Sequence, residues 1–346
     1  MDNNVDELRF SVPLPPNQRS FDGDELVYLK ADLHERDGRV RDLVDRLSIH
    51  SSQLDQRSLT LESSASVQSS FPELWQLART MNELLRRGVS TLVVEDLPFA
   101  RVDLARSKQA FLAFASCIGR PVSADPHRLN LVWEVCPKSR LPSDYTPTIT
   151  EHCGDAALHT DSAFKRSPET YVMLFAYKPA SDGGGLSQVL SAQRLLKSLS
   201  KSPQGRKCIR LLGQTRFPFQ VPTAFTKARL DSVVEWVSAP ILSGRGKIRY
   251  RHDLIASALD HGVTSLSPES QWAIIQTARE IENLKPRSIS LRSGDLLVLN
   301  NHKVLHGRTA FGDRDRMLLR VRLATAHQSL PVEEPYDHTS RWRNAV

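Results

Sequence analysis

The most regular hydrophobic pattern in the chain lies in residues 69–88, SSFPELWQLARTMNELLRRG. Apolar side chains recur there every three or four positions, Pro72 falls in the first turn and Gly88 follows the last apolar residue. This spacing predicts an amphipathic helix with a glycine stop. The β-branched run VSTLVVEDLP at 89–98 predicts a short strand, and DLARSKQAFLAFASCIG at 103–119 predicts a second helix.

After about residue 125 the pattern changes to short apolar runs that are separated by proline, glycine and aspartate. They are LNLVWEVCP, TYVMLFAYKP, GGGLSQVL, VVEWVSAPIL, KIRYRHDL, SISL, DLLVLN and RMLLRVRLAT. Helical patterns interrupt them at roughly 191–212 and 268–285. Many short strands with helices mostly outside the run predict a mainly β fold, a jelly-roll or barrel with helices packed on it.

The two ends of the chain lack this regularity. Residues 1–70 are polar, with Pro13, Pro15 and Pro16 early and a serine-rich stretch late. We interpret 1–70 as a peripheral extension, 71–330 as one domain and 331–346 as a C-terminal tail. The polar, acidic start MDNNVDELRF and the lack of a long apolar run favour a cytoplasmic protein with no membrane span.

Composition narrows the possible functions only a little. The 346 residues are 40% hydrophobic and 25% charged, as in ordinary globular proteins, and the net charge is +7. The basic residues are mixed with acidic ones rather than clustered with aromatics, which argues against nucleic-acid binding. The chain has no C-x-x-C pair, so its four cysteines are expected to be reduced thiols packed as small hydrophobes.

Candidate metal chemistry begins with the stretch LHTDSAF at 158–164. In an extended chain His159 and Asp161 project to the same side, while Thr160 points away. An imidazole and a carboxylate, completed by a third ligand, have the composition of the two-histidine, one-carboxylate triad that binds non-haem Fe(II). The motif alone is weak, because such a pair is more often a hydrogen-bonded couple at the surface.

The stretch NNHKVLHGRTAF at 300–311 offers the third ligand, His306. Residues 295–307 are strand-like, 309–316 resemble a turn and 317–323 form a second strand-like run. If the two runs pair about Asp313, His306 faces Arg320 directly. An arginine that points into a barrel needs an anion, and its planar fork suits a carboxylate. A metal beside such an arginine predicts a chelating cosubstrate with a second carboxylate, and 2-oxoglutarate fits that description.

Together LHTDSAF, DGGGLSQVL and NNHKVLHGRTAF followed by RMLLRVRL resemble the Fe(II)/2-oxoglutarate-dependent oxygenases of the taurine dioxygenase and clavaminate synthase-like superfamily, from about Gly88 to Ala326. The resemblance implies a double-stranded β-helix, cupin-like fold. It also implies iron ligands His159, Asp161 and His306, with Arg320 on the far carboxylate of 2-oxoglutarate and Ser187 assisting. The family position that matches Ser187 is more often threonine.

The activity implied is a dioxygenase that couples oxidative decarboxylation of 2-oxoglutarate, with O2 as the other cosubstrate, to hydroxylation or a related C–H oxidation. We expect a small amino-acid-like substrate, free or bound to a carrier, in natural-product biosynthesis. In the clavaminate branch the phrase KIRYRHDL contributes to the substrate pocket, so Asp253 and Arg251 are candidates for contacts with a zwitterion. The two residues fit equally well as surface charges on an edge strand.

Several functions and ligand sets remain compatible with the sequence. A taurine-type enzyme would act on a sulfonate or small catabolic acid, a non-catalytic jelly-roll would bind a small anion, and the net charge leaves nucleic-acid demethylation as a minor third possibility. His302, four residues before His306, would share its face on a continuous strand and could replace it as a ligand. Arg316 and Arg322 are the rivals of Arg320, and Arg316, which is nearer the turn, is expected to be solvated.

Overall fold

The computed structural model describes residues 26–31, 44–46, 71–123, 130–138, 150–222, 225, 234–325 and 338–340. Most of the predicted extension 1–70 and of the predicted tail 331–346 lies outside the described residues. The α-helices are α1 (Pro72–Arg86), α2 (Leu104–Ser116), α3 (Ala192–Leu199), α4 (Pro203–Gln214), α5 (His252–Asp260) and α6 (Pro268–Leu284). Short 3-10 helices lie at Pro98–Arg101 and Gly244–Gly246.

The first eight strands are β1 (Leu26–Lys30), β2 (Thr91–Glu95), β3 (Arg120–Val122), β4 (Trp133–Val135), β5 (Ala156–His159), β6 (Tyr171–Lys178), β7 (Ser187–Ser191) and β8 (Phe217–Gln220). The others are β9 (Val234–Ala239), β10 (Leu242–Ser243), β11 (Lys247–Ile248), β12 (Arg287–Ile289), β13 (Leu296–Asn300), β14 (Val304–Arg308), β15 (Met317–Ala324) and β16 (His338–Ser340).

Two sheets form the centre of the molecule. A seven-stranded sheet has the order β1-β2-β13-β6-β15-β3, with β4 also paired to β15, and a four-stranded sheet has the order β12-β7-β14-β5. Apolar side chains from both sheets share one buried cluster, which includes Val172 and Leu299 of the larger sheet and Val189 and Val304 of the smaller. The two sheets therefore pack face to face as a jelly-roll sandwich, and the predicted mainly β fold with flanking helices is confirmed.

Helices cover the outer face of each sheet. Helices α1 and α2 pack on the seven-stranded sheet in a cluster that contains Leu77, Phe111 and Leu319. Helices α3 to α6, with the small sheet β16-β9-β8, pack on the other side against Leu190 and Leu305. Strand residues alternate between these outer clusters and the space between the sheets, because successive side chains in a strand point to opposite faces.

The predicted pairing of His306 with Arg320 is wrong. Strand β14 pairs with β5 and β7, so His306 lies opposite His159 and Val189, whereas Arg320 on β15 lies opposite Leu174 and Trp133. Residues 309–316 cross from one sheet to the other instead of closing a hairpin. The alternation on β15 is nevertheless as predicted: Leu319 and Val321 pack towards the helices, which turns Arg320 inward.

Three further elements differ from the predicted ones. The run 295–307 is two strands, because a turn at 301–303 separates β13 from β14. The phrase KIRYRHDL holds only the two-residue strand β11 and then begins helix α5 at His252, so it is not one strand. Residues 26–30, in the predicted extension, add a parallel edge strand to the larger sheet beside β2.

All four cysteines are free thiols. Within the described part of the chain, no helix combines the length and the apolar character that a membrane crossing requires.

Candidate metal centre

Strand β5 ends at His159, and the next residue fixes the direction in which its neighbours point. The backbone N–H of Thr160 donates to the Tyr250 carbonyl oxygen at 2.8 Å, and the N–H of Tyr250 donates to Thr160 Oγ1 at 3.0 Å. Thr160 is thus held against the segment before α5. His159 and Asp161, on either side of it, both reach the space between the sheets, where their side chains are 7% and 3% exposed.

The backbone of Asp161 is held from the turn between β13 and β14. Asn301 Oδ1 accepts a hydrogen bond from the Asp161 N–H at 2.8 Å. The Asn301 side-chain amide donates to the carbonyl oxygens of Asp161 and Glu169, both at 3.0 Å. Ser162 follows with a φ of 56°, so the chain turns sharply just after the carboxylate. A single buried amide therefore fixes the position of Asp161.

His306 comes from the adjacent strand. It lies directly opposite His159 in the β14–β5 pairing, and the two imidazole rings have their centroids 4.5 Å apart. Opposed residues of an antiparallel pair project to the same face of the sheet. The predicted metal ligands His159 and His306 are therefore brought together by one cross-strand pair.

The three side chains form one compact cluster. The Nε2 atoms of His159 and His306 lie 3.5 Å and 3.6 Å from Asp161 Oδ1. All three potential ligand atoms lie within 4.8 Å of one another, and among the residues described this is the only group of its kind. A solvated surface pair is excluded, because all three residues are buried.

The opposite sheet supplies two guanidinium groups to the same carboxylate. Arg322 Nε donates to Asp161 Oδ2 at 2.7 Å, and Arg320 Nη1 lies 3.4 Å from the same oxygen. Both arginines are 7% exposed. Asp161 therefore turns one oxygen to the imidazoles and the other to the arginines. The carboxylate is the point at which the contributions of the two sheets meet.

Burial and neighbouring charge set the protonation states. Burial first, and then the nearby His306, lower the pKa of His159 to about 4. Burial alone would raise the pKa of Asp161, but the charges of Arg322 and Arg320 outweigh it and hold that pKa well below its usual range. At neutral pH the site thus presents a neutral imidazole at 159 beside an ionised carboxylate, the states in which these groups bind metals.

The donor set fits a divalent transition metal such as iron(II). His159 Nδ1 lies 2.8 Å from the carbonyl oxygen of Ala157, and since a carbonyl only accepts, Nδ1 carries the proton. The Nε2 atom that faces Asp161 is then a free acceptor, which is the arrangement of a metal-binding histidine. Two imidazoles and one carboxylate leave further positions open on the metal.

Arg320 has the properties of an anion receptor. Its Nε is buried and has no hydrogen-bond partner among the described residues. Burial and the charge of Arg322 lower the pKa of Arg320 to about 10, so the guanidinium is still charged at neutral pH. A buried donor without a partner is costly, which makes a carboxylate ligand favourable here.

Ser187 begins β7 on the same inward face as Val189. It lies opposite Arg308, and Val189 lies opposite His306, so Ser187 is a diagonal neighbour of the metal ligand at 306. Diagonal neighbours in a sheet are about 7–8 Å apart. The serine hydroxyl is therefore near the cluster but does not belong to it.

Arg251 and Asp253 lie at the start of α5. Arg251 Nε donates to Asp253 Oδ1 at 2.7 Å, and the two side chains are 12% and 57% exposed. The charge of Arg251 also contributes to lowering the pKa of His159. The pair therefore lies near His159, at a helix start rather than on the expected edge strand.

Two of the rival residues lie elsewhere. His302 is in the turn before β14, where its Nε2 is 3.0 Å from the Pro168 carbonyl oxygen, so it is not part of the cluster. Arg316 is buried, contrary to the solvated position expected for it, with its guanidinium over the Phe311 ring at 4.7 Å. Arg322, the third rival, does reach the site, but it binds the carboxylate of Asp161.

Sequence reasoning missed Asn301 and the ion pair between Arg322 and Asp161. Asn301 holds Asp161 in place, and the adjacent asparagines at 300 and 301 are a turn signal within a run whose apolar pattern predicts one strand. The ion pair of Arg322 with Asp161 has no local signal, because it joins residues 161 positions apart.

Comparison with known proteins supports the fold described above. A comparison with curated proteins finds no match. Among solved structures, an asparagine oxygenase in complex with Fe(II), 2S,3S-3-hydroxyasparagine and succinate is similar, with a TM-score of 0.64 and 20% identity over 87% of this chain and 93% of that chain. The non-heme iron oxygenase OrfP with Fe, succinate and (3R,4R)-dihydroxy-L-Arg has a TM-score of 0.63 and 17% identity over 87% of this chain and 94% of that one.

The model of one protein family, described as "Taurine catabolism dioxygenase TauD, TfdA family", matches residues 55–322. That range covers most of the 346 residues and includes every member of the metal cluster. The resemblance found in the sequence is confirmed, and the chain belongs to the TauD/TfdA family of dioxygenases.

Proposed function

We propose that this protein is an Fe(II)/2-oxoglutarate-dependent oxygenase that hydroxylates a small amino-acid-like substrate. The observation that carries this proposal is the buried cluster of His159, Asp161 and His306, with its ligand atoms within 4.8 Å of one another. It lies beside a buried arginine that has an unused donor. The asparagine oxygenase and OrfP structures with Fe and succinate support this choice of metal and cosubstrate.

The iron ligands in this proposal are His159 Nε2, His306 Nε2 and Asp161 Oδ1. Bound there, ferrous iron would allow dioxygen to act as the oxidant for C–H hydroxylation, with one oxygen atom entering the product and the other entering succinate as 2-oxoglutarate loses carbon dioxide. The protein contributes the ligands, their orientation and a buried environment. The carbonyl of Ala157 fixes the His159 ring, and Asn301 fixes the backbone of Asp161.

Arg322 has a positioning role towards the metal. By holding Asp161 Oδ2 at 2.7 Å, it leaves Oδ1 to face the imidazoles. Partners that orient a metal ligand typically change metal affinity or activity by about 10–100-fold when they are removed. Arg322 thus acts through Asp161 and is not a receptor for the cosubstrate.

Arg320 binds the far carboxylate of 2-oxoglutarate in this proposal. Its Nη1 lies 3.4 Å from Asp161 Oδ2, which is a weaker contact than that of Arg322. Its Nε forms no hydrogen bond with the described residues. A planar fork of donors suits a carboxylate. Ser187, on the inward face of the neighbouring sheet, is the candidate for an additional hydroxyl contact.

An aromatic group forms an apolar wall beside Arg320. Trp133 lies directly opposite Arg320 in the β4–β15 pairing, and its ring centroid is 6.4 Å from that of Phe225. Phe164, three residues after Asp161, stacks on Phe225 at 5.3 Å. Such a wall keeps water away from the charged groups and strengthens their interactions.

For the substrate we propose contacts with Arg251 and Asp253, which lie near His159 at the start of α5. A cation and an anion side by side complement the carboxylate and ammonium groups of an amino acid. The similar structures contain hydroxyasparagine and dihydroxyarginine, which supports a substrate of this class. The substrate amino acid is either free or attached to a carrier.

A substrate screen tests the function. The purified protein with Fe(II), ascorbate and 2-oxoglutarate is incubated with single amino acids, and succinate release is measured. We expect at least one amino acid to stimulate succinate release well above the level without substrate. A panel of sulfonates that includes taurine runs in parallel, because the family description favours a substrate of that class. Stimulation by sulfonates alone would overturn the amino-acid assignment.

A further inference from the structure

A cavity that contains none of the metal ligands lies beside strands β8 and β9. It has a volume of about 340 Å³ and is lined by the arginines Arg166, Arg216 and Arg249 together with residues 237–240. Its lining contains no aspartate or glutamate. Three guanidinium groups therefore share one small concave surface.

Arg249 is held rigidly in the wall. Its Nη1 donates to the carbonyl oxygens of Ala163 at 3.2 Å and Lys165 at 2.9 Å, and its Nη2 donates to that of Arg166 at 3.0 Å. The guanidinium also lies over the Phe219 ring at 5.8 Å. These contacts tie Arg249 to the segment that follows Asp161, but carbonyl oxygens do not neutralise its charge.

Arg216 is not held in place by contacts comparable to those of Arg249. It is exposed, its Nη2 donates to the carbonyl oxygen of Ser238, and its other donors are free to bind a ligand. Among the residues described, neither Arg216 nor Arg249 forms an ion pair. Burial and the adjacent charge of Arg216 lower the pKa of Arg249 to about 10. Two like charges are thus held together without a described counter-charge.

We infer that this cavity is a binding site for a phosphate group. A tetrahedral dianion can accept hydrogen bonds from several guanidinium groups at once and balances more than one of their charges. Arg249 forms the fixed floor of the site, and Arg216 offers its free donors from the exposed side, where Arg166 also lines the cavity. The ligand is either free inorganic phosphate or the phosphomonoester group of a small organic molecule.

Titration calorimetry with inorganic phosphate tests the site and requires no metal, cosubstrate or amino acid. The full-length protein is titrated with sodium phosphate, and sodium chloride at matched ionic strength provides the baseline. The variants are Arg216→Gln and Arg166→Gln. Both positions are exposed, and neither substitution removes the side-chain contacts by which Arg249 is held. Arg210→Gln on helix α4 makes the same charge change at an exposed residue that does not line the cavity.

We expect saturable phosphate binding by the wild-type protein and by Arg210→Gln. The dissociation constant should rise at least about tenfold in Arg216→Gln, since a hydrogen bond to a charged group contributes about 1.5–3 kcal/mol and about 1.4 kcal/mol is tenfold. A smaller rise in the same direction is expected for Arg166→Gln. No saturable binding, or equal affinity in the wild type and Arg216→Gln, would overturn the inference.

A second titration, with 4′-phosphopantetheine, identifies the source of the phosphate. Tighter binding than inorganic phosphate, weakened by Arg216→Gln, would assign the site to a phosphomonoester with an organic arm. Equal binding with the same dependence on Arg216 would assign it to free phosphate. A negative result in either titration does not affect the assignment of the metal cluster, which the substrate screen tests separately.

Discussion

The two central sheets contribute opposite kinds of side chain to one site. The four-stranded sheet supplies His159 and His306, two imidazoles that face each other across adjacent strands. The seven-stranded sheet supplies Arg320 and Arg322, two guanidiniums on one strand. Asp161 lies between them, with one oxygen towards each sheet.

This difference gives each sheet a separate task. The imidazole side can bind a metal because an imidazole offers a nitrogen lone pair, and the guanidinium side can bind only anions. Substitutions on the first side should therefore affect metal binding, and those on the second should affect carboxylate binding or the position of Asp161. Variants can test that division, beginning with the largest expected effect.

Removing a metal-binding side chain should abolish turnover, but the effect on stability should differ between His306→Ala and Asp161→Ala. We expect His306→Ala to lower succinate formation more than about 100-fold, beyond the 10–100-fold typical of an outer-shell partner. Asp161→Ala should also cost about 3–5 kcal/mol of unfolding free energy, because it leaves two buried arginines without their carboxylate. Succinate assays and chemical denaturation measure the two effects.

His302→Ala is the matched control, since His302 is close in sequence but bonded to the Pro168 carbonyl outside the cluster. It should retain turnover. Substantial activity in His306→Ala, or an Asp161→Ala variant as stable as the wild type, would contradict the division between the sheets.

Arg320 and Arg322 should separate cosubstrate binding from metal binding. Arg320→Gln should raise the KM for 2-oxoglutarate at least about tenfold, as expected from the loss of a charge-assisted contact. Arg322→Gln should weaken metal binding about 10–100-fold with a smaller change in that KM. Initial rates against 2-oxoglutarate and Co(II) titration followed by absorbance provide the measurements. The reverse pattern would exchange the roles of the two arginines.

The metal-free protein should lose stability as the pH falls from about 6.5 to about 4. The pKa of His159 is about 4 when folded and 6.5 in the reference state, so the unfolded chain binds more protons in this window. Urea unfolding at a series of pH values should show a positive slope. His159→Gln should make the slope shallower but not flat, since burial also lowers the pKa of His152 and His302. An unchanged slope would contradict the burial of a neutral imidazole.

Ser187 is expected to have the smallest effect. Ser187→Ala should raise the KM for 2-oxoglutarate by about 2–10-fold, the range for a hydrogen bond that contributes about 0.5–1.5 kcal/mol. Ser187→Thr keeps the hydroxyl and should stay near the wild-type value. If both variants behave alike, the hydroxyl has no role in cosubstrate binding.

The sequence was sufficient for the parts of the site that depend on local periodicity. The two-residue spacing of His159 and Asp161 and the alternation of Leu319, Arg320 and Val321 each predict the face on which these side chains lie. These patterns hold because the strand period is fixed by backbone geometry. The face of Arg320 could therefore be predicted even though its partner strand could not.

The partners of the strands required the three-dimensional structure. A turn between two strand-like runs usually indicates a hairpin, but residues 309–316 cross between sheets. His306 and Arg320 therefore approach Asp161 from different sheets and do not pair with each other. The hydrogen bonds between Asn301 and Asp161 join residues that are 140 positions apart. Non-local contacts of this kind leave no periodic signal in one sequence.

The central claim is that three side chains bind one ferrous ion beside a carboxylate receptor. Adding Fe(II) and then 2-oxoglutarate under anaerobic conditions should produce the weak visible charge-transfer band of the chelated cosubstrate in the wild-type protein. His306→Ala, folded by circular dichroism, should produce none. A folded wild-type protein without this band, or the same band in His306→Ala, would contradict the account.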